Sequence, residues 1–72
     1  MEVTQELASI ITDREFLRQA IEEAKVTSKK CSLYAEIAND PRVKNLFRDE
    51  QKLVDRSVNL MQQHYDRLAR KD

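Results

Sequence analysis

The sequence predicts an all-α chain folded as an antiparallel helical hairpin, and three observations carry that prediction. The 72 residues include no Gly and a single Pro, so helix has only one place to break. Glu, Lys, Arg, Gln, Leu and Ala, the strongest helix formers, are abundant. Apolar residues also recur at alternating steps of four and three on both sides of the proline, the pattern of helices packed along their length.

The elements follow in order. Over residues 1–11, Val3, Leu7, Ile10 and Ile11 share helical spacing, which fits a short amphipathic helix or an extension of the next one. The first long helix is expected over 13–38. Thr12 and Glu15 have capping-box spacing, and Ile11 and Phe16 sit where a hydrophobic staple would close over its start. Asn39-Asp40-Pro41 breaks the chain: Asp40 is a good N-cap, and Pro41 suits a first turn, where its missing N–H has no partner to lose. The second helix is expected over 41–70. A link this short joins antiparallel neighbours. The segment from Arg67 to Asp72 reads as a fraying, charged helix end. With no repeat, low-complexity tract or linker, residues 1–72 form one domain.

The seam is countable. Leu17, Ile21, Ala24, Ser28, Cys31, Ala35 and Ala38 form a heptad series in the first helix, and Val43, Phe47, Glu50, Val54, Ser57, Met61, His64 and Leu68 form one in the second. Phe16, Ala20, Thr27 and Tyr34 widen the first stripe, and Leu46, Leu53 and Leu60 widen the second. Each helix then carries more apolar surface than one contact can hide. Two hairpins forming a four-helix bundle would use both stripes, with small residues near the turn allowing close approach. Leu17, Ile21, Ala24, Phe47, Leu53, Val54, Leu60 and Met61 are the expected association residues, and a homodimer is the expected state.

Size and charge narrow the function. So short a domain buries only about 60% of its unfolded surface and is marginal without a staple. The single Cys31 forms no internal disulfide, and no spaced Cys/His set suggests zinc; association is the remaining source of stability. Thirteen basic residues balance thirteen acidic ones, for a net charge of zero and a pI near 6.6, which argues against a nucleic-acid binder. No apolar run approaches the roughly 20 residues of a membrane span, and the N-terminus lacks a signal-peptide pattern. An intracellular, soluble protein is expected. Leu, Ile, Val and Phe make up 18 of the 72 residues, enough to fold.

Little in the sequence suggests catalysis. Glu50, Ser57 and His64, seven apart, line one side of the second helix in register with Val43. They fit either a ligand or acid/base set, or a seam edge where Glu50 snorkels and Ser57 bonds its own helix. If hairpin partners have numbers summing to about 81, Cys31 lies near Glu50, Ala24 near Ser57 and Leu17 near His64. A dimetal carboxylate site needs Glu-x-x-His, because i and i+3 project together; here the run is Glu50-Gln51-Lys52-Leu53, and His64 lies about 21 Å further along the axis. No metal or other cofactor is expected, with Glu50 the one weak candidate ligand. Glu22, Glu23 and Glu36 read as solvated acids. Cys31 reads as a small buried apolar residue, with no triad partner to make it a nucleophile. Tyr34, Phe47 and Tyr65 read as core in preference to a docking surface. Lys29-Lys30, Arg67, Arg70 and Lys71 read as solvated cations. The chain is therefore expected not to be an enzyme.

The stretch Thr12-Asp13-Arg14-Glu15, then Tyr34-Ala35-Glu36 and Asn39-Asp40-Pro41-Arg42-Val43-Lys44-Asn45-Leu46-Phe47, resembles the coat F family of endospore-forming bacteria, over about residues 12–65. Members are short helical units related to the ferritin-like fold, with a Tyr-containing helix end, an Asp/Asn-Pro turn and a second helix opening on a basic residue and a Leu-Phe-type pair. The resemblance implies a ferritin-like bundle, a non-enzymatic role in the spore coat, and other coat proteins as partners. Rubrerythrin-type proteins have a similar hairpin whose second helix supplies Glu-x-x-His to iron; Glu50 matches an acidic position there, but Leu53 replaces the histidine. Two other readings stay open: a degenerate ferritin-like metal protein using Glu50 with Glu22 or Glu23, and a small adaptor that accepts a partner helix along its stripe.

Overall fold

The computed structural model describes the backbone of residues 2–70 and the side chains of residues 7–70. Two helices, α1 (Glu2–Ile37) and α2 (Pro41–Ala69), pack side by side as a helical hairpin about 58 Å long and 14 by 12 Å across.

No boundary separates residues 2–11 from the rest of α1. The Thr12 hydroxyl donates to the Ala8 carbonyl at 2.9 Å, one turn back, so it works inside a continuous helix and not as a cap. Glu15, the expected capping-box partner, pairs with Arg18 instead. Ile11 and Phe16 are 62% and 64% exposed and close no staple. The physical reason is the absence of any breaker before residue 12: with no Gly or Pro, the good helix formers carry the first turns straight through the cap signal. Val3, part of the expected amphipathic spacing, and Lys71 and Asp72, part of the expected frayed end, have side chains outside the described residues.

The turn forms at Asn39-Asp40-Pro41. Asp40 has extended backbone angles (φ −80°, ψ 123°) and its carboxylate accepts from the Arg42 N–H at 2.8 Å. Its carbonyl accepts the first helical bond, from the Lys44 N–H at 3.0 Å. Pro41 occupies the first turn, as its fixed φ favours. At the facing end, the last turn of α1 contains no basic residue. Lys44 reaches across from α2 and donates to the Ala35 and Glu36 carbonyls at 3.1 and 3.0 Å. One side chain thus satisfies two orphan acceptors and sets a positive charge at the negative end of α1.

The core is thin. Ile21, Cys31 and Ala35 are the buried apolar residues among those described, and the half-buried Ile10, Arg14, Leu17, Ala24 and Ser28, with Ala38 just past the helix end, complete a heptad series along α1. This is the expected α1 seam, extended toward the N-terminus. On α2 the series is Lys44, Phe47, Gln51, Val54, Val58, Met61, Tyr65 and Leu68. The row Phe47, Val54, Met61 and Leu68 is as expected. Val43, Glu50, Ser57 and His64 are exposed, and their places are taken by Lys44, Gln51, Val58 and Tyr65, one residue further on.

Either flanking row completes a four-three pattern with the shared one, so spacing alone does not choose between them. Side-chain chemistry does. Lys44 caps α1, Val58 adds an apolar group, and Tyr65 packs its ring 5.6 Å from the Arg14 guanidinium, a cation–π contact. That stacking also shields Arg14, whose Nε is buried without a hydrogen-bond partner. The axial register agrees with expectation: Tyr34 packs on Phe47 with ring centroids 5.1 Å apart and planes tilted by 55°, and Ser28 donates to the Asp55 carboxylate at 2.6 Å.

Candidate association surface

The apolar arc of α2 is wider than its seam, and the seam takes only one edge. Going round the helix from Phe47, Val54, Met61 and Leu68, the next row is Val43, Glu50, Ser57 and His64, and beyond it lie Leu46, Leu53 and Leu60. These leucines are 62%, 58% and 54% exposed. On α1, stepping off the seam in the same sense gives Asp13, Ala20, Thr27 and Tyr34, and then Phe16, Glu23, Lys30 and Ile37. Phe16 and Ile37 are 64% and 63% exposed. Because the helices run antiparallel, these flanks lie on the same long side of the hairpin.

The groove between the helices deepens at the open end of this face. There Phe16, Leu17 and Ala20 of α1 and His64, Arg67 and Leu68 of α2 line a trough of about 480 Å³. At the turn end the face carries Tyr34, Ile37, Val43 and Leu46, each exposed. A trough at one end and a cluster of exposed apolar side chains at the other make the surface asymmetric along its length.

The opposite face is polar. Arg18 pairs with Glu15, its Nε donating to Glu15 Oε2 at 3.1 Å. Hydrogen bonding to the guanidinium holds the Glu15 carboxyl below its ordinary value and raises Arg18. Glu22, Lys25 and Gln62 lie beside this pair, and Asp55 receives the Ser28 hydroxyl at its middle. At the turn, Asp40 is also held below its ordinary value, first by the Arg42 backbone N–H and then by the Arg42 side chain. Arg18, Glu22, Lys25 and Gln62 border a shallow cavity of about 140 Å³ on this face.

Of the expected association residues, Leu17, Ile21, Ala24, Phe47, Val54 and Met61 face the other helix of the same chain, while Leu53 and Leu60 lie on the exposed face. The structure therefore divides one expected set between two surfaces. Glu50 is exposed between the two apolar rows of α2. Among the described residues no group of three or more His, Cys, Asp and Glu side chains comes together. Cys31 is a free, buried thiol, and Leu17 and His64 both line the trough, consistent with the expected register. Lys44 and Gln51 escaped the sequence reading; a cation three residues past the proline, opposite a helix end without one, was the available signal for Lys44. No helix among the described residues is long and apolar enough to cross a membrane. Comparison with family models, curated proteins and solved structures gives no match in any of the three.

Proposed function

We propose that this chain is a non-enzymatic assembly module whose hairpin pairs with a second hairpin to form a four-helix bundle. The observation that carries this is the row Leu46, Leu53 and Leu60 on α2, with Phe16 and Ile37 on the matching flank of α1, all more than half exposed on one side of a hairpin with three buried apolar residues among those described. Large apolar side chains left exposed along one side of so thin a core mark an interaction surface, and burying them supplies stability that a two-helix seam lacks. Polar residues interrupt the face at one per turn or fewer, as in helices that bury one side in a bundle. The coat F resemblance of residues 12–65 supports the spore coat as the setting, with other coat proteins as further partners.

Light scattering after size exclusion, across a tenfold or greater concentration range, tests the reading. The expected result is a particle of twice the 8.5 kDa chain mass that persists on dilution. A folded monomer at every concentration overturns self-assembly and leaves the face to a different protein, as the adaptor reading requires.

A further inference from the structure

We propose that the second copy lies on the apolar face turned end for end, related by a twofold axis at right angles to the helices that passes near Thr27 and Leu53. This arrangement rests on the self-association proposed above and adds its direction and register.

The α1 row Phe16, Glu23, Lys30 and Ile37 steps by seven and reads apolar, acidic, basic, apolar. Reversed on itself, it sets Phe16 against the second copy's Ile37 and Glu23 against the second copy's Lys30. An isologous contact requires this self-complementarity, because each residue must suit the partner it meets twice. The α2 row has the same property: Leu46 meets Leu60 of the second copy, and Leu53 meets itself. The two midpoints were set independently by the sequence, one on each helix. The register fixed by Tyr34–Phe47 and Ser28–Asp55 places them about 2 to 5 Å apart along the hairpin at 1.5 Å per residue, within about one helical turn, so a single axis near both can serve the two rows.

The inner row of α1 agrees. Ala20 falls opposite the second copy's Tyr34, small against large, and Thr27 falls opposite itself. The trough at the open end, about 480 Å³, falls opposite the exposed Tyr34, Ile37 and Val43 at the turn end of the second copy. The other twofold arrangement, turn beside turn, lays α1 on the second copy's α2. It brings Phe16 level with Arg67, Glu23 with Leu60 and Lys30 with Leu53, matching an apolar side chain to a charge three times and leaving only Ile37 with an apolar neighbour, Leu46.

The test is a Thr27→Cys variant in a Cys31→Ala background, oxidised under mild conditions, beside the charge variants K30E, E23K and E23K/K30E. End-for-end pairing brings the two introduced thiols onto the axis, within the Cα separation of under about 7 Å that a disulfide needs, and a covalent dimer is expected as the main product. Each single charge reversal should weaken the dimer about tenfold, by opposing like charges at two places, and the double swap should restore it to within about twofold. In the turn-beside-turn bundle the two introduced thiols lie on diagonal helices and do not link. A stable dimer without the crosslink, or one whose affinity the double swap does not restore, overturns the end-for-end arrangement and leaves self-association standing. A parent chain that is monomeric throughout overturns both.

Discussion

On one long face of the hairpin, Phe16, Ile37, Leu46, Leu53 and Leu60 stand more than half exposed; on the other, Glu15 pairs with Arg18 and Ser28 bonds Asp55. Both faces flank the same seam and belong to the same helices. The polar face is complete in a single chain, since its groups pair locally or meet water. The apolar face leaves its residues in water at a cost of about 25 cal/mol for each Å² that could be buried. The seam itself is narrow because α1 contributes Ala24, Ser28, Cys31 and Ala35 to it, which draw the helices together but bury little area. The larger side chains point to the next layer, so stability and association are placed on different rows of the same helices.

Leu53→Asp is the strongest way to break this contrast. Two copies bring the carboxylates together near the axis, removing two leucines from a contact and adding two unpaired charges, so the dimer should weaken about a thousandfold. Asn59→Asp, on the polar side of α2, should leave affinity within about twofold. Analytical ultracentrifugation of both variants checks the pair; equal effects would mean that the two faces do not differ in role.

Ile21→Ala comes next and addresses the seam. Ile21 is 4% exposed, and truncating a buried isoleucine costs about 2–4 kcal/mol. In a hairpin with so few buried residues that is a large part of the fold, so thermal unfolding followed by circular dichroism should show an early, broadened transition. Leu53→Ala, at a site 58% exposed, should change a monomer's stability by no more than about 0.5 kcal/mol while still weakening the dimer. The two alanine variants separate what holds the hairpin from what joins hairpins.

The same division explains what the sequence made legible. Helix content, the break at Asn39-Asp40-Pro41 and the α1 seam follow from local chemistry: no Gly, one Pro, an N-cap, and apolar spacing. The α2 seam was half legible, because Phe47, Val54, Met61 and Leu68 belong to either choice of heptad. The apolar arc of α2 runs from Val58 through Phe47 and Val54 to Leu46 and Leu53, and its centre falls on Val43, Glu50, Ser57 and His64. Spacing locates that centre, whereas the hairpin packs on one edge. Which edge is decided by α1, through Arg14 beneath Tyr65 and the uncapped carbonyls that call for Lys44. The cap signal at Thr12 was a valid local motif overridden by a helix with no reason to start there.

Ser28→Ala should sharpen the account of the polar face by a smaller amount. The Ser28 hydroxyl donates to Asp55 across the helices at 2.6 Å, the one side-chain hydrogen bond between α1 and α2 side chains among the described residues. Its removal should cost about 0.5–1 kcal/mol and shift the urea midpoint without changing the slope. Dimer affinity should stay the same, because the bond lies away from the apolar face.

The smallest effect belongs to pH. Asp40 and Glu15 both titrate below their ordinary values of 3.8 and 4.5, so the folded state binds these protons less readily than the unfolded one. A depressed carboxyl contributes stability that is fully present above its unfolded pKa and is lost as pH falls through the folded one. The hairpin should therefore hold its melting midpoint from neutral pH down to about pH 5 and lose it progressively below about pH 4. Asp40→Asn keeps an N-cap acceptor without the titrating charge, so it should flatten part of that acid decline while leaving the neutral-pH midpoint nearly unchanged. Melting curves of the parent chain and D40N between pH 3 and 7 check this. Parallel curves for the two proteins would remove Asp40 from the acid response and leave it to Glu15 on the polar face, which a matching series on Glu15→Gln then reads directly.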